Sequence, residues 1–139
     1  MLVYFDNDIV ECQFRCSNGR FAGWADVYLE HDELDRFATS LRGFPIRNTD
    51  FRDFELGTFN PAHADGGIRL HFYCTDGAGH SSVEVRLRGD GCASLGEPES
   101  VALRIPIEAA GLDSFVLQLG GMKLNLGARA YLPMTGLNA

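Results

Sequence analysis

Ile68-Arg69-Leu70-His71-Phe72-Tyr73-Cys74-Thr75-Asp76-Gly77-Ala78-Gly79-His80-Ser81-Ser82-Val83-Glu84-Val85-Arg86-Leu87 carries the clearest structural signal in the chain. Apolar Ile68, Leu70, Phe72 and Cys74 alternate with Arg69, His71 and Tyr73, the period-2 pattern of a half-buried strand. Asp76-Gly77-Ala78-Gly79 then turns the chain. With Gly77-Ala78 at its centre, Cys74 faces Ser81, Phe72 faces Val83, Leu70 faces Val85 and Ile68 faces Leu87. Cross-strand partners share a face, so this register sets apolar against apolar or small residues throughout.

Working outward, residues 9–16 repeat the pattern, with Val10, Cys12, Phe14 and Cys16 on one face, and Asn18-Gly19 supplies a strong hairpin signal. A two-residue Asn18-Gly19 turn predicts Cys16 opposite Phe21, Phe14 opposite Gly23, Cys12 opposite Ala25 and Val10 opposite Val27. A further strand is expected near 100–107, with Val101, Leu103, Ile105 and Ile107 inward and Pro106 marking an edge or a bulge. Residues 51–59 form a weaker strand candidate. Asp32-Glu33-Leu34-Asp35 resembles a capping box ahead of Leu34, Phe37, Ala38 and Leu41, and a second helix is expected near 110–119 on Leu112, Phe115, Val116 and Leu119.

A shift of 78 positions superposes Glu30, Leu34, Asp35, Phe37, Leu41 and Gly43 on Glu108, Leu112, Asp113, Phe115, Leu119 and Gly121. Either the units near 9–44 and 67–122 descend from an internal duplication, or a shared strand-helix period imposed the likeness. The architecture expected is α+β. It is a single two-layer domain over 1–139, with a mostly antiparallel sheet of about six strands and two short amphipathic helices on one face.

Composition agrees with a globular domain: 139 residues, 45% hydrophobic and 22% charged, enough to bury a core without disulfides or metals. The net charge of -7 argues against nucleic acid or an anionic membrane as partner. The opening Met1-Leu2-Val3-Tyr4-Phe5-Asp6-Asn7-Asp8 lacks the basic and apolar regions of a leader, so a cytoplasmic location is expected, with Cys12, Cys16, Cys74 and Cys92 as free thiols. Leu132-Pro133-Met134-Thr135-Gly136 fits a cell-wall sorting pentapeptide, but only Leu137, Asn138 and Ala139 follow, so no anchoring is expected.

The residues that could carry chemistry are few. No CxxC pair or clustered Cys/His spacing points to a metal, and no Walker loop, GxGxxG or GxSxG setting points to a cofactor or a nucleophile elbow. His63 lies in a Gly/Pro loop, and His80 follows the second turn. His71 is expected opposite Glu84, where charge pairing explains it as well as acid–base work would. Cys74 and His71 sit an odd number of residues apart on one strand and so face opposite ways. No catalytic residue and no cofactor is assigned.

Two outer faces attract more interest. Arg69, His71, Tyr73, Glu84, Arg86, Arg88 and Arg104 point away from the expected core, with Arg69 directly opposite Arg86. Such a patch is either neutralised by Asp53, Glu55 or a loop, or is an anion-binding surface made of Arg69, His71, Arg86, Arg88 and Arg104. In the second case loops 44–50 and 89–99 would have to wall it. On the first hairpin the outer set is Gln13, Trp24, Asp26 and Tyr28, a candidate partner-binding surface unless the apolar tail around Leu124 to Leu132 covers it.

The order of elements is a hairpin ending in Phe21-x-Gly23, then Val27-x-Leu29, Leu34-x-x-Phe37-x-x-x-Leu41 and Gly43-Phe44-Pro45. A strand pair around Gly66-Gly67 and a closing strand-helix unit follow. This resembles small bacterial proteins of unassigned function that are similar to WapI-type immunity proteins. The resemblance covers most of the chain, rests on core and turn positions, and transfers no functional residue. It implies a short α+β protein that neutralises a toxin by binding it. The leading expectation is therefore a non-catalytic protein-binding module, with a toxin or another protein as partner. The alternatives are a small enzyme or anionic-ligand module on the Arg/His face, and a homodimeric structural protein pairing through Trp24 and Tyr28.

Overall fold

The computed structural model describes residues 1–60, 62, 63, 65–89 and 98–136. Their elements run β1 (Leu2–Phe5), β2 (Val10–Ser17), β3 (Ala22–Leu29), α1 (Glu33–Leu41), β4 (Phe51–Gly57), β5 (Gly67–Cys74), β6 (Ser81–Arg88), β7 (Ser100–Ile107) and α2 (Ala109–Gly120). The class is α+β with antiparallel pairing, but the single sheet expected gives way to two, β1-β2-β3 and β4-β5-β6-β7. The break falls between β3 and β4. There the β3 backbone crosses the second sheet at glycines instead of extending its ladder. A Cβ on Gly66 would collide with the Asp26 carbonyl, and one on Gly57 would lie 2.5 Å from Val27 Cγ1. Only residues without a Cβ allow that approach.

The second hairpin adopts the register read from its sequence, Cys74↔Ser81 through Ile68↔Leu87. Its loop is held by Asp76, whose Oδ1 accepts the Ala78 N–H at 2.8 Å. The first hairpin is corrected by two residues: Cys16 faces Gly23, Phe14 faces Ala25, Cys12 faces Val27 and Val10 faces Leu29. A turn centred on Asn18-Gly19 would need positive φ at Asn18, and no described residue other than glycine has one. The turn centres on Gly19-Arg20 instead, with Gly19 at φ 82° in the first central position. Asn18 Oδ1 accepts the N–H groups of Arg20 and Phe21 at 3.0 and 2.8 Å. Because the slip is two residues, each side chain keeps its face.

β1 escapes the alternation argument because Leu2-Val3-Tyr4-Phe5 is a continuous apolar run. It pairs with β2, burying Leu2 against Cys12. The expected capping box is displaced too. Asp32 makes no side-chain cap, whereas Glu33 accepts the Glu30 N–H at 2.6 Å, so the reach-back closes two residues earlier. Pro106 stands on β7, an edge strand, where its missing N–H breaks no ladder.

One hydrophobic cluster joins the inner faces of both sheets to Phe37, Ala38 and Leu41 of α1 and to Leu112, Val116 and Leu119 of α2. Within this set the 78-residue shift superposes Ala38 on Val116 and Leu41 on Leu119, whereas Phe37 and Leu112 fall on the only partly buried Phe115 and Leu34. Edge-on aromatic contacts tie the layers: Phe37 meets Phe115 at 6.4 Å and Phe54 at 4.7 Å, and Phe54 meets Phe72 at 5.9 Å. After α2 the chain passes β1, where Leu2 donates to the Ala128 carbonyl at 2.8 Å, and reaches β7, where Thr135 donates to the Pro106 carbonyl at 2.8 Å. Between them Gln118 accepts the Tyr131 N–H at 3.0 Å. No helix among the described residues is long and apolar enough to cross a membrane.

Candidate functional site

The outer face of the three-stranded sheet is built by register. Arg15 pairs with Trp24, Gln13 with Asp26, and Glu11 with both Tyr28 and Tyr4. Trp24, Tyr28 and Tyr4 are 58%, 42% and 46% exposed, so the tail does not cover them; it runs past β1 and α2 to β7. Trp24 and Tyr28 stand about 13 Å apart along β3. Between them lies a chain of polar groups: Arg15 Nε donates to Gln13 Oε1 at 2.5 Å, and Gln13 Nε2 donates to Asp26 Oδ1 at 3.3 Å. At the far end Tyr4 donates its hydroxyl to Asp6 at 2.9 Å. The backbone N–H groups of Ile9 and Asp8 hold the Asp6 carboxyl below its usual pKa, and the bond to that carboxylate raises the Tyr4 pKa, keeping the phenol a donor. Aromatic rings flanking a polar centre suit a protein contact, each presenting a large apolar area that loses little rotamer freedom. Tyr4 joins this set only because β1 exists, which alternation could not reveal.

The outer face of the four-stranded sheet forms rows across the strands. One row reads Asp53, His71, Glu84, Arg104; the next reads Glu55, Arg69, Arg86, Ala102. The adjacency of Arg69 and Arg86 is real, and acids from β4 and β6 answer it. Arg69 donates to Glu55 at 2.8 Å and lies 4.2 Å from the centre of the Phe59 ring, and Arg86 stands 3.6 Å from Glu84. His71 Nδ1 bonds Asp53 at 2.5 Å, not the Glu84 opposite it, and its ring stacks on Tyr73. A groove of about 430 Å3 between these groups is lined by three carboxylates against two guanidinium groups and one imidazole, so it offers no excess positive charge. Its lining comes from β4, β5 and β6 and includes none of loop 44–50; most of loop 89–99 lies outside the described residues.

Arg88 does not belong to this face. It is buried, and donates to the carbonyls of Asp65 at 2.6 Å, His63 at 2.8 Å and Thr58 at 3.3 Å. Strand parity sent it outward, but the Thr58, His63 and Asp65 carbonyls lie over the end of β6 and take up the guanidinium. Arg104 stays exposed on the edge strand opposite Glu84.

Asp53 and His71 have the geometry of an acid–base pair, yet among the described residues no serine, threonine or cysteine bonds His71. His80 pairs with Asp76 at 2.6 Å beside the second turn. Burial pushes the Cys12 and Cys16 thiols up to about 11, which leaves them un-ionised at neutral pH. Cys74 lies on the opposite side of β5 from His71, with Sγ 3.7 Å from the Arg47 carbonyl. Cys92 lies outside the described residues.

Comparison with protein-family models, with curated proteins and with solved structures finds no match.

Proposed function

We propose that the chain is a non-catalytic protein-binding module working in the cytoplasm, and that its contact surface is the outer face of β2 and β3: Trp24, Tyr28, Gln13 and Asp26, extended by Tyr4. The observation that carries it is the exposure of Trp24 and Tyr28, 58% and 42%, on one sheet face. Large exposed aromatics beside a hydrogen-bonded polar centre supply the anchors that dominate protein interfaces. The resemblance to immunity proteins gives the reading its specific form, an inhibitor that neutralises a toxin by occupying its surface. A net charge of -7 would steer such an inhibitor toward a basic partner. The Arg/His face ranks second as a site, because its arginines and His71 already face carboxylates.

Affinity capture from the native host, followed by reconstitution with the purified partner, tests this. A stoichiometric partner whose affinity falls at least about tenfold in Trp24→Ala and Tyr28→Ala, and not in His71→Ala, is the expected result. Equal affinity in all three variants would overturn the placement of the surface. A concentration-dependent dimer dissolved by Trp24→Ala would instead favour the homo-oligomer.

A further inference from the structure

A half-open cavity of about 890 Å3 runs between the inner faces of the two sheets, the two helices and segment 129–134, and reaches the surface beside Met1, Arg15 and Trp24. Ordinary protein cores hold few voids larger than a water molecule. Phe14 and Cys16 of β2, Leu70 of β5, Phe115 of α2, and Ala130 and Leu132 of the closing segment line this one, and all six are only partly buried. Inward-facing side chains at the middle of two sheets would be sealed in a filled core. Here they border open space whose apolar walls offer water few partners. The volume falls in the range of small-molecule sites, about 300–1,000 Å3.

The opening has a distinct charge. Arg15 and Arg129 line it, both exposed, and neither forms an ion pair among the described residues. Among the described residues Arg129 bonds only the thioether of Met1, at 3.5 Å, and Arg15 is separated from Asp26 by Gln13. In a chain of net charge -7, two guanidinium groups without carboxylate partners at the mouth of an apolar chamber are a departure from its general electrostatics. They match an anionic head on an apolar body.

We infer that this cavity is a binding site for a long-chain fatty carboxylate, its alkyl chain lying between Phe14, Leu70 and Phe115 and its carboxylate held at the mouth by Arg15 and Arg129. Gln13 and Trp24 also line the cavity, so its mouth adjoins the proposed partner-binding surface at the Arg15 end, but the carboxylate site does not depend on that reading.

Fluorescence titration with cis-parinaric acid tests the inference, with its methyl ester and a dodecyl amine as probes of the head group. The acid should bind saturably at one site per chain and raise the thermal midpoint, as a ligand specific to the native state does. Arg15→Gln combined with Arg129→Gln should weaken the acid at least about tenfold and leave the ester unchanged. Ala130→Trp, on the closing segment, should abolish binding of both while the far-UV circular dichroism stays that of the parent, and Cys16→Phe serves if that variant misfolds. Absence of saturable binding overturns the site, as does binding that survives both filled variants. Equal affinity for acid and amine overturns the carboxylate and the role of the two arginines.

Discussion

Phe37 is the most informative side chain to remove. Its ring is 3% exposed and meets Phe54 and Phe115 edge-on, so it links α1 to β4 and α2 at once. Truncating a buried phenylalanine to alanine typically costs about 3–5 kcal/mol. Two structural features set the value within that range. Phe37 borders the half-open cavity, so the space it vacates joins an existing opening, and alanine improves helix propensity by roughly 0.5 kcal/mol. Both favour the lower end, about 3 kcal/mol. Phe115 is only partly buried and should lose less, about 1.5–3 kcal/mol. The Phe37–Phe54 contact adds a coupling of about 0.5–1.5 kcal/mol, which a double-mutant cycle with Phe54→Ala isolates. Urea unfolding should be followed by far-UV circular dichroism, because the single tryptophan, Trp24, is already 58% exposed and reports unfolding poorly. A loss below about 1 kcal/mol for Phe37→Ala with an unchanged m-value would refute the packing of α1 described above.

Three further outcomes follow from the same geometry. Gly66→Ala would drive a Cβ into the Asp26 carbonyl, a backbone atom that cannot yield, and should cost about 1–3 kcal/mol or more; Gly77→Ala, which meets only the Asn48 amide at 3.4 Å, should shift the thermal midpoint far less. Arg88→Met keeps the aliphatic packing but strands the carbonyls of Thr58, His63 and Asp65, at a cost of about 2–4 kcal/mol, and Arg88→Lys should not restore all three bonds, as chemical denaturation would show. The Asp50 carboxyl is held below the ordinary carboxylate range, first by the Ile46 N–H and then by Arg52. Its unfolded form therefore binds the proton more readily, so the stabilisation is fully present above the unfolded pKa and is lost as pH falls through the folded one. Asp50→Asn should be less stable than the parent at pH 7, and the two curves should converge toward pH 2; a gap that persists unchanged in acid would count against that bond.

The legibility of the fold varied with how local its cause was. The second hairpin could be read residue by residue because period-2 alternation and the Asp76–Gly79 loop favour the same register. The first could be read only to within a two-residue slip. Asn18-Gly19 and Gly19-Arg20 both preserve the faces, and the choice between them is made by the backbone conformation of Asn18. β1 was not among the expected strands, because Leu2-Val3-Tyr4-Phe5 is an apolar run without alternation and such a run announces neither a strand nor its partner. Of the candidate residues, Gln13, Trp24, Asp26 and Tyr28 stand together on one outer face, and Arg69, His71 and Arg86 stand on the other. Arg88 left its expected place because a loop distant in sequence offered it carbonyls.

By itself, then, the sequence determined what nearest neighbours control: every strand and helix but β1, which side chains share a face apart from Arg88, and that the paired strands run antiparallel. Each of those depends on periods and turns spanning a few residues. Only the tertiary structure decided that the strands divide into two sheets, that Glu55 and Asp53 answer Arg69 and His71, and that a chamber stays open between the layers. These depend on how far apart the layers settle, which Gly57, Gly66 and the closing segment set together and no local pattern encodes.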